Sequence, residues 1–566
     1  MLKAQNITKE KFYYNKLFYD YIFNYEKLKD FFTYDYRIIN SYNERIDYIN
    51  NFYNNKFREI ILNSLLEYNK SINCGIKTIE NIKLLKNKDT YVVIAGQQPT
   101  IFTGAIFSIY KIITILNLSS YLSNKLNLNI IPVFWNASDD SDLLEIKNIK
   151  IFENQLENIS IDIPEYLNGF CYSKIILPLD EIENVCRKMI QSLSETDFKI
   201  QISQFIDEIL LNIKKENKFN GISVSKFYSL IVAKLFQKYG LILIDPEILE
   251  LKKLLFKILN FDLNNFNRIN NIIELNGSEL VSEGYHAQLN LVKNNLHFFL
   301  NTEYGREKIK FIGNIDEDEG SENNFKFEKS TIDKKDKLDK NKLQDIIFKN
   351  INNVSLNVIL RPLFQDYILP NIATICGPGE ISYYAQLKDV YTLFGIELPI
   401  LYPRMSATLI ENKVKNAFLK LNLSYNEIDI NQEIIANKIL KNISGFDYQL
   451  YIESLERDLF DTLQKYIIKL KNDGFDSTEA FGRIQQNLKR EINVLNKKII
   501  NEYKKKNNFI IENLNKIYNN IFPEGKLQEK EINIFEYINK YGFSLIDNIY
   551  LTFKEFDFYH KFIEIN

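Results

Sequence analysis

The run Tyr91-Val92-Val93-Ile94-Ala95, broken at once by Gly96-Gln97-Gln98-Pro99, constrains the fold more than any other feature of the chain. Five apolar residues in a row leave no polar face for water, so the segment reads as a strand buried on both sides, the kind found in parallel sheets. Helical spacing follows from Gly104 to Leu122. A second strand, Asn129 to Trp135, then ends in Asp139-Asp140-Ser141-Asp142. Strand, loop, helix and strand in that order form the unit of a parallel sheet. The unit returns far down the chain. Asn371 to Cys376 is apolar, Gly377-Pro378-Gly379 breaks it, Glu380 to Phe394 resumes helical spacing, and Leu398 to Tyr402 is strand-like. Two such units separated by insertions predict one parallel sheet assembled from distant parts of an α/β chain.

Around this core the expected organisation is a helical segment over 1–85, the first half of the core over 86–150, connecting insertions over 151–350, the second half over 351–410 and a helical domain over 411–566. The first 85 residues carry Phe, Tyr, Leu and Ile at mixed three- and four-residue spacing, which predicts helices. The stretch Gly313 to Lys342, with Asp316-Glu317-Asp318-Glu319 and a mixed Lys/Asp run, reads as a solvated loop. Beyond residue 445, Ile452, Leu455, Leu459, Leu463, Tyr466 and Leu470 step by three or four. After Asn472-Asp473-Gly474, the residues Phe481, Ile484, Leu488, Ile492, Leu495 and Ile499 do the same, predicting an antiparallel coiled-coil hairpin that packs a core or pairs two copies.

Composition excludes several functions. Lys plus Arg number 71 against 73 for Asp plus Glu and form no basic stripe, which argues against a nucleic-acid partner. No apolar run is long enough for a membrane span and Met1 to Phe12 has no signal core, so a cytoplasmic protein is expected. Cys74, Cys171, Cys186 and Cys376 lie far apart with only His286, His297 and His560 to help them, which argues against a structural zinc site or a disulfide framework.

Chemistry is sought where strands end. Gly96 and Gly104 permit a tight turn or the close approach of a ligand, and Gln97 and Gln98 both donate and accept hydrogen bonds. Free N–H groups in such a turn suit phosphate or carboxylate; plain turn chemistry is the alternative. Asp139, Asp140, Asp142 and Glu145 sit where open α/β sheets place ligands, able to orient an amine, take its proton, bind sugar hydroxyls or hold Mg²⁺, or else only to dress a helix N-terminus. Arg361 and Arg404 suit bidentate recognition of carboxylate or phosphate, or structural ion pairs.

Taken in order, Val93 to Pro99 with Tyr110-Lys111, Pro132-Val133-Phe134-Trp135 before the acidic cluster, Ser355 to Gln365 with Leu360-Arg361-Pro362-Leu363, Gly377-Pro378-Gly379-Glu380-Ile381, Pro403-Arg404 and Phe522 to Glu529 resemble the cysteine-ligase family of bacillithiol biosynthesis. The resemblance implies a Rossmann-like core with a C-terminal coiled coil, and a reaction that joins the cysteine carboxyl to the amino group of glucosaminyl malate. ATP or ADP, with Mg²⁺ as a further candidate, and a homodimer through the coiled coil are implied too. On that chemistry Gly96, Gln97 and Gln98 face the nucleotide or activated acyl group, and Asp139, Asp140 and Asp142 handle the amine. Arg361 and Arg404 suit the malyl carboxylates, while Gly377, Gly379 and Glu380 line the same crevice, with Gly104 in the first turn. The family reads Glu-Asp-His-Asp where this chain has Asp139-Asp140-Ser141-Asp142. The loss of histidine leaves three readings: the same ligase with a dispensable histidine, a ligase for another amine, and a non-catalytic coiled-coil relative.

Overall fold

The computed structural model describes residues 2–8, 12, 15–152, 156–216, 221–290, 292–312, 324–328, 338–444, 448–475, 478–506, 508–554 and 556–566. Its centre is a five-stranded parallel sheet of β1 (Thr90–Gln97), β2 (Asn129–Asn136), β3 (Ile242–Ile244), β4 (Asn371–Cys376) and β5 (Ile400–Pro403), in the order β5-β4-β1-β2-β3. Both predicted units are therefore in one sheet, joined along β1 and β4. Val92 to Ala95 and Val133 to Trp135 are fully buried, as strands covered on both faces must be. The helix α1 (Phe107–Leu126) returns the chain to β2 and is buried on nearly all sides from Ser108 to Ser119. It ends where Asn127 adopts a left-handed φ of 55° and sends its N–H back to the Ser123 carbonyl.

Two expectations are corrected. Residues 1–85 are mostly helical, but Lys3–Ile7 is a strand, too short a run for its period to be read. The insertion carries a second, antiparallel five-stranded sheet, with Asn295–Thr302 and Gly305–Phe311 as its long hairpin and Val354–Leu356 against Asn295–Thr302. Part of the supposed loop Gly313–Lys342 belongs to it. Asn324–Phe327 buries Phe325 and Phe327, and a helix starts at Lys340. The acidic run Asp316–Glu319 and residues 333–337 of the Lys/Asp run lie outside the described residues. Among the described residues, no helix is long and apolar enough to cross a membrane.

The chain divides into two compact units, 1–407 with 529–561, and 408–528 with 562–566. The second contains the paired helices Tyr448–Asn472 and Thr478–Lys506, with Gly474 (φ 87°) at the turn and Ile492 buried. The segment 529–561, expected with the helical domain, packs with the core unit. Buried Asn533 donates to the carbonyls of Phe102 (2.8 Å) and Gly104 (2.6 Å), clasping the loop after β1.

That loop has positive φ at three successive residues, Phe102, Thr103 and Gly104. Gly104, at φ 66° and ψ −152°, occupies a region closed to other residues, and a Cβ there would sit 2.9 Å from Thr100 Cβ. Gly104→Ala should therefore lower unfolding free energy by about 1–3 kcal/mol, read as a reduced urea midpoint at unchanged slope.

Candidate functional site

Parallel strands deliver all five carboxyl ends to one edge, and the turns there come from both halves of the sheet. Lys111, on α1, is 4% exposed. Its ammonium donates to the Gly96 carbonyl (2.9 Å) and to Gln97 Oε1 (3.2 Å), and pairs with Glu380 Oε2 at 2.6 Å. Glu380, in the helix α2 (Pro378–Tyr384) that follows β4, also accepts the Gly377 N–H at 2.6 Å. One buried cation thus ties the turn after β1 to the turn after β4.

Arg361 lies against the same turn: a Cβ placed on Gly96 would be 3.5 Å from its Nη1. The residue is half-buried, and its guanidinium donates to the Tyr383 hydroxyl at 3.2 Å, the one hydrogen-bond partner of its side chain among the described residues. Burial works against this charge, but the nearby carboxyl groups of Glu380 and Asp139 favour it, and the guanidinium stays protonated. A guanidinium has five N–H donors, so most of its capacity remains for an anion.

The acidic loop after β2 is clasped from the insertion. The Ser173 N–H donates to Ser138 O, Tyr172 N–H to Asp140 O and the Cys171 thiol to Asp139 O (3.1 Å). Asp139 is buried, which raises its carboxyl above the usual range despite the opposing pull of Arg306. Asp140 is different: its side chain is 39% exposed, and Oδ1 meets Arg306 Nη1 at 3.2 Å and the Ser141 N–H at 2.9 Å. Arg306 is itself fixed by Ser355 Oγ (3.0 Å), the Leu356 carbonyl (2.6 Å) and the face of Phe299. Beneath the loop, the Ser138 hydroxyl donates to Asp245 at the end of β3, and burial pushes that carboxyl up to about 6.

Gly96, Gln97, Gln98, Asp139, Asp140, Arg361, Gly377 and Glu380 therefore share one edge of the sheet. Other expected site residues have structural partners. Asp142 caps the short helix Leu143–Ile146 through the Leu144 N–H. Gly104 turns the loop clasped by Asn533, and Gly379 has no atom within 4 Å of where its Cβ would be. Arg404 pairs with buried Glu529 at 2.6 Å and donates to the Met405 carbonyl, the ion-pair alternative raised for it. Lys111, Arg306, Tyr383 and Asp245 were not expected. A lone lysine in the apolar run Ile109–Ile113 was a legible signal, since such a charge needs partners; Arg306, in a hairpin of the insertion, carried none. Among the described residues no three His, Cys, Asp or Glu side chains converge to hold a metal ion.

Residues 2–405 match the family model described as the N-terminal Rossmann-like domain of bacillithiol biosynthesis BshC, and residues 407–565 match the C-terminal coiled-coil domain of the same family. Similar proteins include one from Desulforamulus reducens, 28% identical over 88% of each chain, and one from Natranaerobius thermophilus, 27% identical over 95% of each. A third, from Bacillus cereus strain B4264, is 26% identical over 90% of this chain and 91% of its own. Each is named "Putative cysteine ligase BshC".

The two arginines should separate experimentally. Arg404→Met removes the counter-ion of the buried Glu529 carboxylate and should cost about 3–5 kcal/mol of stability, part of it recovered in Arg404→Met/Glu529→Gln, which keeps an acceptor for Ser406 and Ala407; equal loss in the double variant would contradict this. Asp245 titrates higher folded than unfolded, so the stability it provides is complete below about pH 4 and lost as pH rises through 6. Asp245→Asn should therefore be more stable than the parent at pH 8, by about 2–3 kcal/mol in urea melts, with the gap closing below pH 4.

Proposed function

The chain belongs to the bacillithiol biosynthesis BshC family, and on that premise we propose that it is an ATP-dependent ligase joining the carboxyl group of cysteine to the amino group of glucosaminyl malate, the last step of bacillithiol synthesis. The observation that carries the reading is the pairing of Arg361, a protonated guanidinium with spare donors, with Asp140, a solvent-reached carboxylate fixed by Arg306 at the same strand ends. An anionic acceptor that must also lose a proton asks for those two groups. Arg361 binds a malyl carboxylate, and Asp140 accepts the proton released as the amine nitrogen attacks the acyl carbon. The C–N bond forms as the bond from that carbon to its activating group breaks.

ATP supplies the activation of the cysteine carboxyl. Gly96, Gln97, Gln98 and the Gly377–Glu380 turn are the residues of this chain placed to hold the nucleotide or the activated acyl group. Asp140, engaged by Arg306 and the Ser141 amide, is given a role with the amine rather than with Mg²⁺. Ser141, where the resemblance implies a histidine, takes no part in the proton transfer. The helical hairpin, with Tyr451 and Tyr466 exposed, is the surface through which two copies would pair, and the reaction places the protein in the cytoplasm.

Purified protein given cysteine, glucosaminyl malate and ATP should yield bacillithiol by mass spectrometry, with ADP and phosphate or AMP and pyrophosphate identifying the mode of activation. Asp140→Asn should reduce kcat by about 10²-fold or more, and Arg361→Ala should act mainly on KM for glucosaminyl malate. Folded variants that restore bacillithiol fully in cells lacking the ligase would refute these roles. Product with another amine only would move the assignment to a different acceptor.

A further inference from the structure

The side chains of Lys111, Gln97, Gln98 and Asp140 form a chain with only one possible direction. An ammonium has three N–H donors and no acceptor, and Lys111 donates to the Gly96 carbonyl and to Gln97 Oε1 while its charge pairs with Glu380 Oε2. The atom of Gln97 facing Lys111 must therefore be its oxygen, which turns Nε2 outward to donate to Gln98 Oε1 at 2.7 Å. The Gln98 oxygen is thereby committed, and its Nε2 donates to Asp140 Oδ2 at 3.4 Å. Amide orientation is ordinarily ambiguous between oxygen and nitrogen, but a donor-only group at one end and a carboxylate at the other leave a single consistent assignment. Held by these partners and 4% exposed, Lys111 does not reach out to a ligand; its effect is exerted through the glutamines.

We infer that Lys111 is a positioning residue for the reaction. It polarises the relay Lys111–Gln97–Gln98 so that an amide N–H is always presented to Asp140 Oδ2, while Arg306 and the Ser141 amide hold Oδ1. Its pairing with Glu380 sets the relay against the turn after β4, so the carboxylate that takes the proton is aligned by both halves of the sheet. Without Lys111 both amides can flip, and a flipped Gln98 would present its oxygen to a carboxylate oxygen, a repulsive contact.

The kinetic arm of the test rests on the ligase reading; the structural arm does not. In amide formation, Lys111→Met should lower kcat about 10- to 100-fold with KM for glucosaminyl malate within about twofold of the parent. Lys111→Arg, which still only donates, should recover part of the loss. Because the members act as one unit, Lys111→Met/Gln98→Leu should be no slower than the slower single variant. Losses that multiply, or that fall on KM alone, would overturn the inference. Crystal structures of the parent and of Lys111→Met supply the arm independent of turnover: Gln98 should leave Asp140 in the variant, and a retained Gln98–Asp140 contact would also overturn it. If the parent makes no amide product, the ligase reading fails while this structural comparison still decides the relay. If Lys111→Met does not fold, Gln97→Leu breaks the next link and is measured the same way.

Discussion

The pairing of β1 with β4 is the constraint on which the site depends. Parallel strands cannot be joined by a tight turn, so the chain between them must cross over. Here it makes β2 and β3, a second sheet and several helices before Asn371 meets Val92 and Thr374 meets Ile94. The ladder fixes the direction of both strands, and so brings the turns at Gly96 and Gly377 to the same edge. Only then can Lys111 reach the Gly96 carbonyl and Glu380 together. The ion pair is a consequence of topology, and removing the register of β1 against β4 would remove it.

The crossover also does more than connect. Its antiparallel sheet carries Arg306 to Asp140, and Cys171–Ser173 supplies three donors to the carbonyls of the acidic loop. A loop of four polar residues at the end of a buried strand would otherwise leave backbone groups to be satisfied by water. Held from the insertion, it keeps Asp139 buried and Asp140 half-open, and the two carboxyls differ because their surroundings differ.

The core was legible because its strands are buried on both faces and read as continuous apolar runs bounded by Gly and Pro. The same logic reached the helical hairpin, whose period is long and interrupted once. It failed where the code is short or distributed. Lys3–Ile7 is five residues, and the strand Asn324–Phe327 buries alternate side chains, Phe325 and Phe327, within a stretch dominated by charge. At the site, residues adjacent to strand ends were found by position: Gly96, Gln97, Gln98, Asp139, Asp140, Gly377 and Glu380. Arg306, Tyr383 and Asp245 were not, because their roles depend on which distant segment folds over the edge, and spacing along the chain holds no record of that.

Arg361 and Arg404 show the limit most clearly. Each follows or precedes a proline beside a strand-like run, and nothing in their local sequence distinguishes them. The difference lies in what the rest of the chain brings. Glu529, from a segment more than a hundred residues away, accepts from Arg404, as it does from the Ser406 hydroxyl and the Ala407 N–H, so that its carboxylate is consumed inside the fold. Arg361 meets a neutral phenol in Tyr383 and is held charged by groups too far to neutralise it by contact. A buried cation with its counter-ion in place is architecture; a protonated guanidinium with a phenol for its partner still has affinity to give. By that criterion Arg361, not Arg404, is the arginine of the two with hydrogen-bonding capacity left over, and the burial of Arg404 is explained without any ligand.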